Sequence, residues 1–313
     1  MYNLSIVQTA NPVEINRSGH YQRIKADLLL VLVSMIWGSA FVAQRIAADQ
    51  VGTFLFNGLR FLLAVVVLVP VAWLNFRGDP VNWRMDRRAF IGVGLAGLLL
   101  LLGAAFQQAG LRYTTAGNAG FITGLYVVFI PLILAIVWRQ PPRLNTWLAA
   151  GLAMVGLFLL STGGHMQLNP GDVLEMIGAL FWALHVILIG ILVQRLNVWQ
   201  VSIGQYLICG LLSLFIGLGT EWNTISQLPA SWWAIAYTGI VSVGVGYTLQ
   251  VAAQRYAPPA DAAIILSSEA VFAAVSGWLL LNERLTAIQF LGCVIMMAGI
   301  LLSQAHLFAR KKP

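Results

Sequence analysis

Long apolar runs, broken by short polar punctuation, fill the chain from residue 26 to residue 307. Crossing a bilayer core of about 30 Å takes about 20 residues of helix. Ten runs qualify, covering approximately 26–46, 53–74, 89–109, 115–138, 145–162, 172–193, 200–220, 232–252, 260–281 and 286–307. Arg77-Gly78-Asp79-Pro80, Pro141-Pro142, Asn169-Pro170-Gly171 and Pro258-Pro259 mark connections between them. The runs are continuously apolar and do not alternate as the strands of a membrane barrel do. The pattern therefore predicts an all-α polytopic membrane protein of ten transmembrane helices. Residues 1–25 form a polar segment before the first run and residues 308–313 a basic tail after the last. No connection is long enough to hold a soluble domain.

Composition points the same way. The 313 residues are 59% hydrophobic and only 9% charged, against about 25% charged in an ordinary soluble domain. A soluble protein so poor in charge could not cover its surface with water-compatible groups. The net charge of +7 would raise nucleic-acid binding in a soluble chain. Here the basic residues lie in short loops and bear on membrane orientation, so no nucleic-acid partner is expected. With the N-terminus placed in the cytoplasm, Arg45, Arg112 and Arg284 fall outside and Arg60 falls within a span. The other 14 of the 18 Lys and Arg fall inside. This bias predicts a multi-pass membrane protein with both termini cytoplasmic and an even number of spans. Cys209 and Cys293 both sit within apolar runs. They offer no metal spacing or disulfide framework, and no cofactor or metal is expected. The first 25 residues lack the apolar stretch of a cleaved signal peptide.

Shifting the sequence by 143 residues lays Gln107-Gln108-Ala109-Gly110-Leu111-Arg112-Tyr113 over Gln250-Val251-Ala252-Ala253-Gln254-Arg255-Tyr256. Met154-Val155-Gly156 then lies over Met297-Ala298-Gly299. The shift moves the third span onto the eighth, a displacement of five helices. Five is odd, so the second half enters the membrane upside down. Inverted repeats are common in secondary transporters, whose substrate site lies near the midplane between the halves.

Ile36-Trp37-Gly38-Ser39-Ala40-Phe41 resembles the first-helix signature of the EamA-domain families in the drug/metabolite transporter superfamily. Arg60-Phe61-Leu62-Leu63-Ala64 resembles their second-helix motif. Ser268 through Ala274, then Asn282-Glu283-Arg284-Leu285 and Gly292, resemble the end of the second repeat. Phe121 through Pro131, with Trp147-Leu148, resemble the same region of the first. Ala270 stands where the family usually has proline, and Gln140 where the first repeat usually ends in Gly-Glu. The resemblance implies two inverted five-helix repeats, here expected over 26–164 and 165–307. It also implies a place in a cell inner (plasma) membrane and small-metabolite substrates such as amino acids, nucleosides and sugars, often exported.

Charges in a membrane core are expensive and mark functional positions by default. Two lie deep in this reading, Glu269 midway along the ninth span and Arg60 about 10 Å below the outer end of the second. Their depths are similar enough to allow an ion pair. His185 in the sixth span is, with Glu269, a candidate proton site. Trp182 lies one turn before it, and Trp37 has the polar neighbours Ser34 and Ser39. Asn57, Asn118, Tyr126, Gln205 and Tyr206 extend the candidate substrate pathway. The 143-residue shift sets Tyr126 over Glu269. Gln107 and Gln250 are further polar positions, in the third and eighth spans. Interhelical hydrogen bonding is the plain alternative for all of these residues. The glycines of the third and eighth spans suit either gating movement or static packing. Pro131 is expected to kink the fourth span.

These features predict a secondary transporter that moves a small organic metabolite, an amino acid or similar, by alternating access. Its partners are that substrate and the lipid bilayer. No Walker sequence suggests direct use of ATP. No HExxH, nucleophile elbow or intramembrane aspartate pair suggests an enzyme, which with a channel forms the alternative reading.

Overall fold

The computed structural model describes residues 17–75, 84–114, 116–139, 141–164, 169–281 and 285–308. Among them, ten helical stretches are long and apolar enough to cross a membrane. In chain order they are His20–Ala48, Thr53–Leu74, Arg87–Gly110, Ala119–Ile136, Leu144–Thr162, Pro170–Leu192, Val198–Thr220, Trp222–Ala253, Pro259–Ser276 and Ala287–Ala305. Below they are called the first to tenth spans.

Most helix edges fall within a few residues of the apolar runs, and two do not. The first helix begins at Arg17, well before the run. Arg23 sustains it there: its Nε donates to Asp27 Oδ1 at 3.0 Å, one turn on. The same guanidinium ties the first span to the ninth at Asp261 (3.0 Å) and to the tenth at Gln304 (3.2 Å). The eighth span starts early, with a 3₁₀ turn over Trp222–Gln227. It continues as α-helix over Leu228–Tyr237, widens to a π-helix over Thr238–Tyr247 and closes as α-helix over Thr248–Ala253.

Helix ends are satisfied locally and across spans. Asn197 and Gln200 form a capping box at the start of the seventh span. Pro170 opens the sixth behind Asn169, which forms a second box with Asp172. Glu221 crosses to the second span, where its Oε2 accepts from the backbone N–H of Phe54 (2.9 Å) and Leu55 (2.8 Å). A carboxylate there meets both the free amides and the positive end of the helix dipole.

The bundle is apolar outside and polar within. Phe215, Ile136 and Val66 are 80%, 73% and 66% exposed, whereas Arg60, His185, Glu175 and Glu269 are buried. Lipid is the solvent that suits such a surface, and the protein is a multi-pass membrane protein.

The two halves run in opposite directions. A Cβ added at Gly58 of the second span would lie 2.7 Å from Leu214 N of the seventh, and one at Gly217 would lie 2.6 Å from Leu55 N. Residue numbers rise along one helix as they fall along the other, so these two spans, five apart, are antiparallel. The fifth and tenth behave alike: Gly156 abuts Gly292 and Met296, and Gly299 abuts Ala149 and Ala153. Glycine is required at these crossings because backbone meets backbone there.

Contacts between other spans repeat reciprocally. Arg112 donates from Nε to Ala48 O (2.8 Å) and from Nη2 to Val51 O (3.0 Å), at the end of the first span. Arg255 donates to Val193 O and Leu196 O (3.1 Å each), at the end of the sixth. The arginines are 143 residues apart and each pair of acceptors 145 apart, so the two clasps are equivalents. Trp182 of the sixth span lies over Gly103 of the third, where an added Cβ would meet its indole at 3.0 Å. Trp37 of the first lies over Gly246 of the eighth, at 2.8 Å.

The fourth and ninth spans are each interrupted midway. In the fourth, Ala116–Gly124 gives way at Leu125 to Tyr126–Ile136. The backbone tightens there, with Leu125 N–H donating to Ile122 O at 3.1 Å. The interruption lies ahead of Pro131, through which the second piece runs on to Ile136. In the ninth, Pro259–Leu266 gives way at Ser267-Ser268 to Glu269–Leu281. The Ser267 and Ser268 hydroxyls turn back to Ile264 O (2.8 Å) and Ile265 O (2.7 Å). Such bonds bend a helix without proline, which accounts for a break beside Ala270.

Candidate functional site

Tyr126 and Glu269 each begin the second piece of an interrupted span. They are 143 residues apart, and they touch: Tyr126 Oη–H donates to Glu269 Oε1 at 3.1 Å. Equivalent positions of two inverted halves meet only at the axis relating them. This contact therefore marks the pseudo-twofold axis of the molecule.

A cavity opens beside it. Its lining includes Trp37, Phe41, Gln44, Arg60, Gln107, Thr123, Tyr126, Trp182, Tyr247, Gln250 and Glu269. Its volume of about 30 Å³ matches roughly two water molecules.

Arg60 enters from the second span, and its Nη1 donates to Gln44 Oε1 at 2.6 Å. Its guanidinium carbon lies 5.1 Å from the ring centroids of both Phe56 and Phe61. Flanking rings stabilise a desolvated cation by about 2 kcal/mol. Arg60 Nε has no partner in the protein. Arg60 and Glu269 do not pair with each other; the ion pairs among the described residues lie elsewhere, at Arg23 and Arg45.

Aromatic rings form a second wall. Tyr247, last residue of the π-helical segment, lies between the two equivalent tryptophans, 4.5 Å from Trp37 and 5.8 Å from Trp182 by ring centroid. Trp37 Nε1 donates to Ser242 O within the π-helix at 3.2 Å. Trp182 Nε1 and Gln250 Oε1 have no protein partner. Residues of the lining thus carry two unpaired donors and one unpaired acceptor, all three buried.

Of the residues singled out from sequence, Trp37, Arg60, Gln107, Tyr126, Trp182, Gln250 and Glu269 come together on this lining. His185, Gln205 and Tyr206 lie behind it. His185 Nε2 is 2.7 Å from Gln205 Oε1, and Nδ1 has no partner in the protein. Tyr206 Oη is 3.2 Å from Thr248 Oγ1. Asn57 is fully buried, away from the lining, with neither side-chain atom partnered in the protein. The Asn118 side chain lies outside the described residues.

Sequence reasoning passed over Gln44, Thr123 and Tyr247. It also counted two deep charges, and a third, Glu175, is found among the described residues. Glu175 lies three residues inside the apolar run that opens at 172, where a carboxylate reads as interfacial, yet it is fully buried. The one available signal was that Glu175 follows Asp172 by three residues and so shares its helix face.

The comparisons with known proteins accord with this architecture. The EamA-like transporter family matches the chain twice, over residues 24–162 and 169–304. An uncharacterized transporter of Archaeoglobus fulgidus is 33% identical over 286 residues, covering 90% of this chain and 86% of the relative. The uncharacterized transporter YoaV of Bacillus subtilis is 22% identical over 92% of this chain and 99% of its own. The uncharacterized inner membrane transporter YedA of Escherichia coli is 26% identical over 49% of each chain. A crystal structure with 18% sequence identity superposes with a TM-score of 0.75 over 93% of this chain, a likeness of fold. A family model that matches both halves of the chain and a transporter relative matching nearly its whole length place it: the chain is a membrane transporter belonging to the EamA-like transporter family.

Proposed function

We propose that this transporter is a secondary carrier for a small zwitterionic metabolite, an amino acid or similar. It exports its substrate across the inner membrane by alternating access, with both termini in the cytoplasm. The observation that carries the reading is a cation and a carboxyl, Arg60 and Glu269, lining one cavity without neutralising each other. A zwitterion supplies the missing partner for each. Arg60 takes the carboxylate, Glu269 the amine or a coupling proton, and Trp37, Trp182 and Tyr247 an apolar side group. The cavity as it stands admits water and little else, so the halves part on one side or the other to load and release substrate. His185, Gln205, Tyr206 and Asn57 support the wall from behind. Export is the direction the family resemblance implies.

The test is a thermal-shift screen of detergent-purified protein with amino acids, nucleosides and sugars, followed by counterflow in proteoliposomes. A ligand at a hundred times its Kd stabilises the folded state by about 2.7 kcal/mol. Amino acids are expected to raise the melting temperature and to exchange saturably. Arg60→Gln is expected to abolish the shift while leaving the unliganded protein folded. A shift unchanged by both Arg60→Gln and Glu269→Gln, or ligands that never exchange, would overturn the reading.

A further inference from the structure

Glu175 has no part in that reading, yet its surroundings are built. It lies about 7.5 Å into the sixth span from Pro170 and is 0% exposed. Gly110 of the third span leaves room for it: a Cβ there would fall 2.9 Å from Glu175 Cγ and 3.0 Å from Oε1. Oε2 accepts from the Thr123 hydroxyl at 3.0 Å, and Oε1 has no partner in the protein. Thr123 Oγ1 in turn accepts from Gln107 Nε2 at 3.3 Å. Thr123 and Gln107 both line the central cavity. A hydroxyl has one hydrogen and two lone pairs, so Thr123 keeps one lone pair for a cavity water while its hydrogen points at Glu175.

The charged and titratable groups of the surrounding elements are engaged elsewhere. On Glu175's own helix, Asp172 accepts from Thr114 Oγ1 (2.6 Å) and from Asn169 N (2.8 Å), and His185 faces Gln205. Beyond the third span, Arg112 clasps the carbonyls of Ala48 and Val51, and Tyr113 is 61% exposed. The first piece of the fourth span, Ala116–Gly124, carries no titratable residue; Tyr126 of its second piece donates to Glu269. Among the described residues no cation pairs with Glu175, and an unpaired buried carboxylate is costly. With one oxygen free and a hydroxyl on the other, the ligand it fits is a proton.

We propose that Glu175 is a proton-binding site of this transporter, filled from the central cavity through the hydroxyl of Thr123. A hydronium in the cavity gives its proton to Thr123 Oγ1 and reverts to water. Thr123 passes its own hydrogen to Glu175 Oε2, which becomes a neutral carboxylic acid, and Thr123 is left unchanged. Gln107 holds the hydroxyl in that direction. The inference rests on the carrier reading only in that the cavity is reached by water.

The test is infrared difference spectroscopy of the full-length protein in detergent after a pH jump, with the proton as the sole ligand. A carboxylic-acid C=O band is expected that is lost in Glu175→Gln and retained in Glu269→Gln. Thr123→Val is expected to slow its appearance about a hundredfold, the scale of one positioned proton-transfer group, and Thr123→Ser to restore the rate. The same acid bands in wild type and Glu175→Gln at every pH, or an unchanged rate in Thr123→Val, overturn the proposal. Should Glu175→Gln fail to fold, the Thr123 pair decides alone. Because no metabolite is present, a failed ligand screen leaves this result standing, and the reverse holds as well.

Discussion

Each tryptophan at the cavity reaches its place because the residue beneath it has no side chain. Gly246→Ala would bring a Cβ to 2.8 Å from Trp37 Nε1, displacing the indole and its bond to Ser242 O. Overpacking of this kind destabilises by about 1–3 kcal/mol, and a lowered melting temperature in detergent is the expected result. Gly94→Ala is the matched control, since nothing lies within 4 Å of a Cβ there, and it should leave the melting temperature in place. At this scale the sequence was informative where chemistry contrasts with its setting. Arg60 and Glu269 stand out in apolar runs, and the 143-residue shift already set Tyr126 over Glu269. Tyr247 and Thr123 do not stand out, because a tyrosine or threonine in a membrane helix is ordinary until its neighbours are known. Glu175 was hidden by nearness to a helix end.

Among the elements, the arginine clasps make the sharpest comparison. Arg112 and Arg255 each donate twice to carbonyls that end another helix. Replacing either with Met is expected to cost about 1.5–3 kcal/mol, the range for hydrogen bonds to charged groups. The two share no partner, so their effects should add in the double variant, as thermal unfolding would reveal. The Arg-Tyr pairs were visible as a repeat in the sequence. Their acceptors were not, because a backbone carbonyl leaves no trace in residue identity. The π-helix of the eighth span was hidden for a related reason. Thr238–Tyr247 keeps an apolar, glycine-rich composition that suits an α-helix equally well, and its glycines pack against Trp37 and the Arg60 backbone, neighbours that sequence does not name. The serine break at Ser267-Ser268 likewise arises from hydroxyls that could as easily have faced other helices.

For the whole molecule, the bilayer made the sequence readable. Lipid restricts the backbone to helices of a set length or closed barrels; the runs do not alternate, so span number and most edges followed from them. How the spans pair did not, because lipid-facing and partner-facing residues are alike apolar. The cytoplasmic placement of both termini stays a prediction of the charge bias. Epitope tags on the two ends should both resist protease in right-side-out vesicles and both be cleaved in inside-out ones. Tags cleaved on opposite faces would refute the even-span orientation. One consequence follows from the contact on the axis. Were the halves identical, opening to one face would be the mirror of opening to the other and equal in energy. Here a phenol occupies one seat and an acid the other, and the π-helix of the eighth span has for its equivalent in the third a regular α-helix. On the proposed alternating-access reading, such unlike twins give the protein a preferred side to face when it is without cargo, and its substrate works against that bias in one direction of travel and with it in the other.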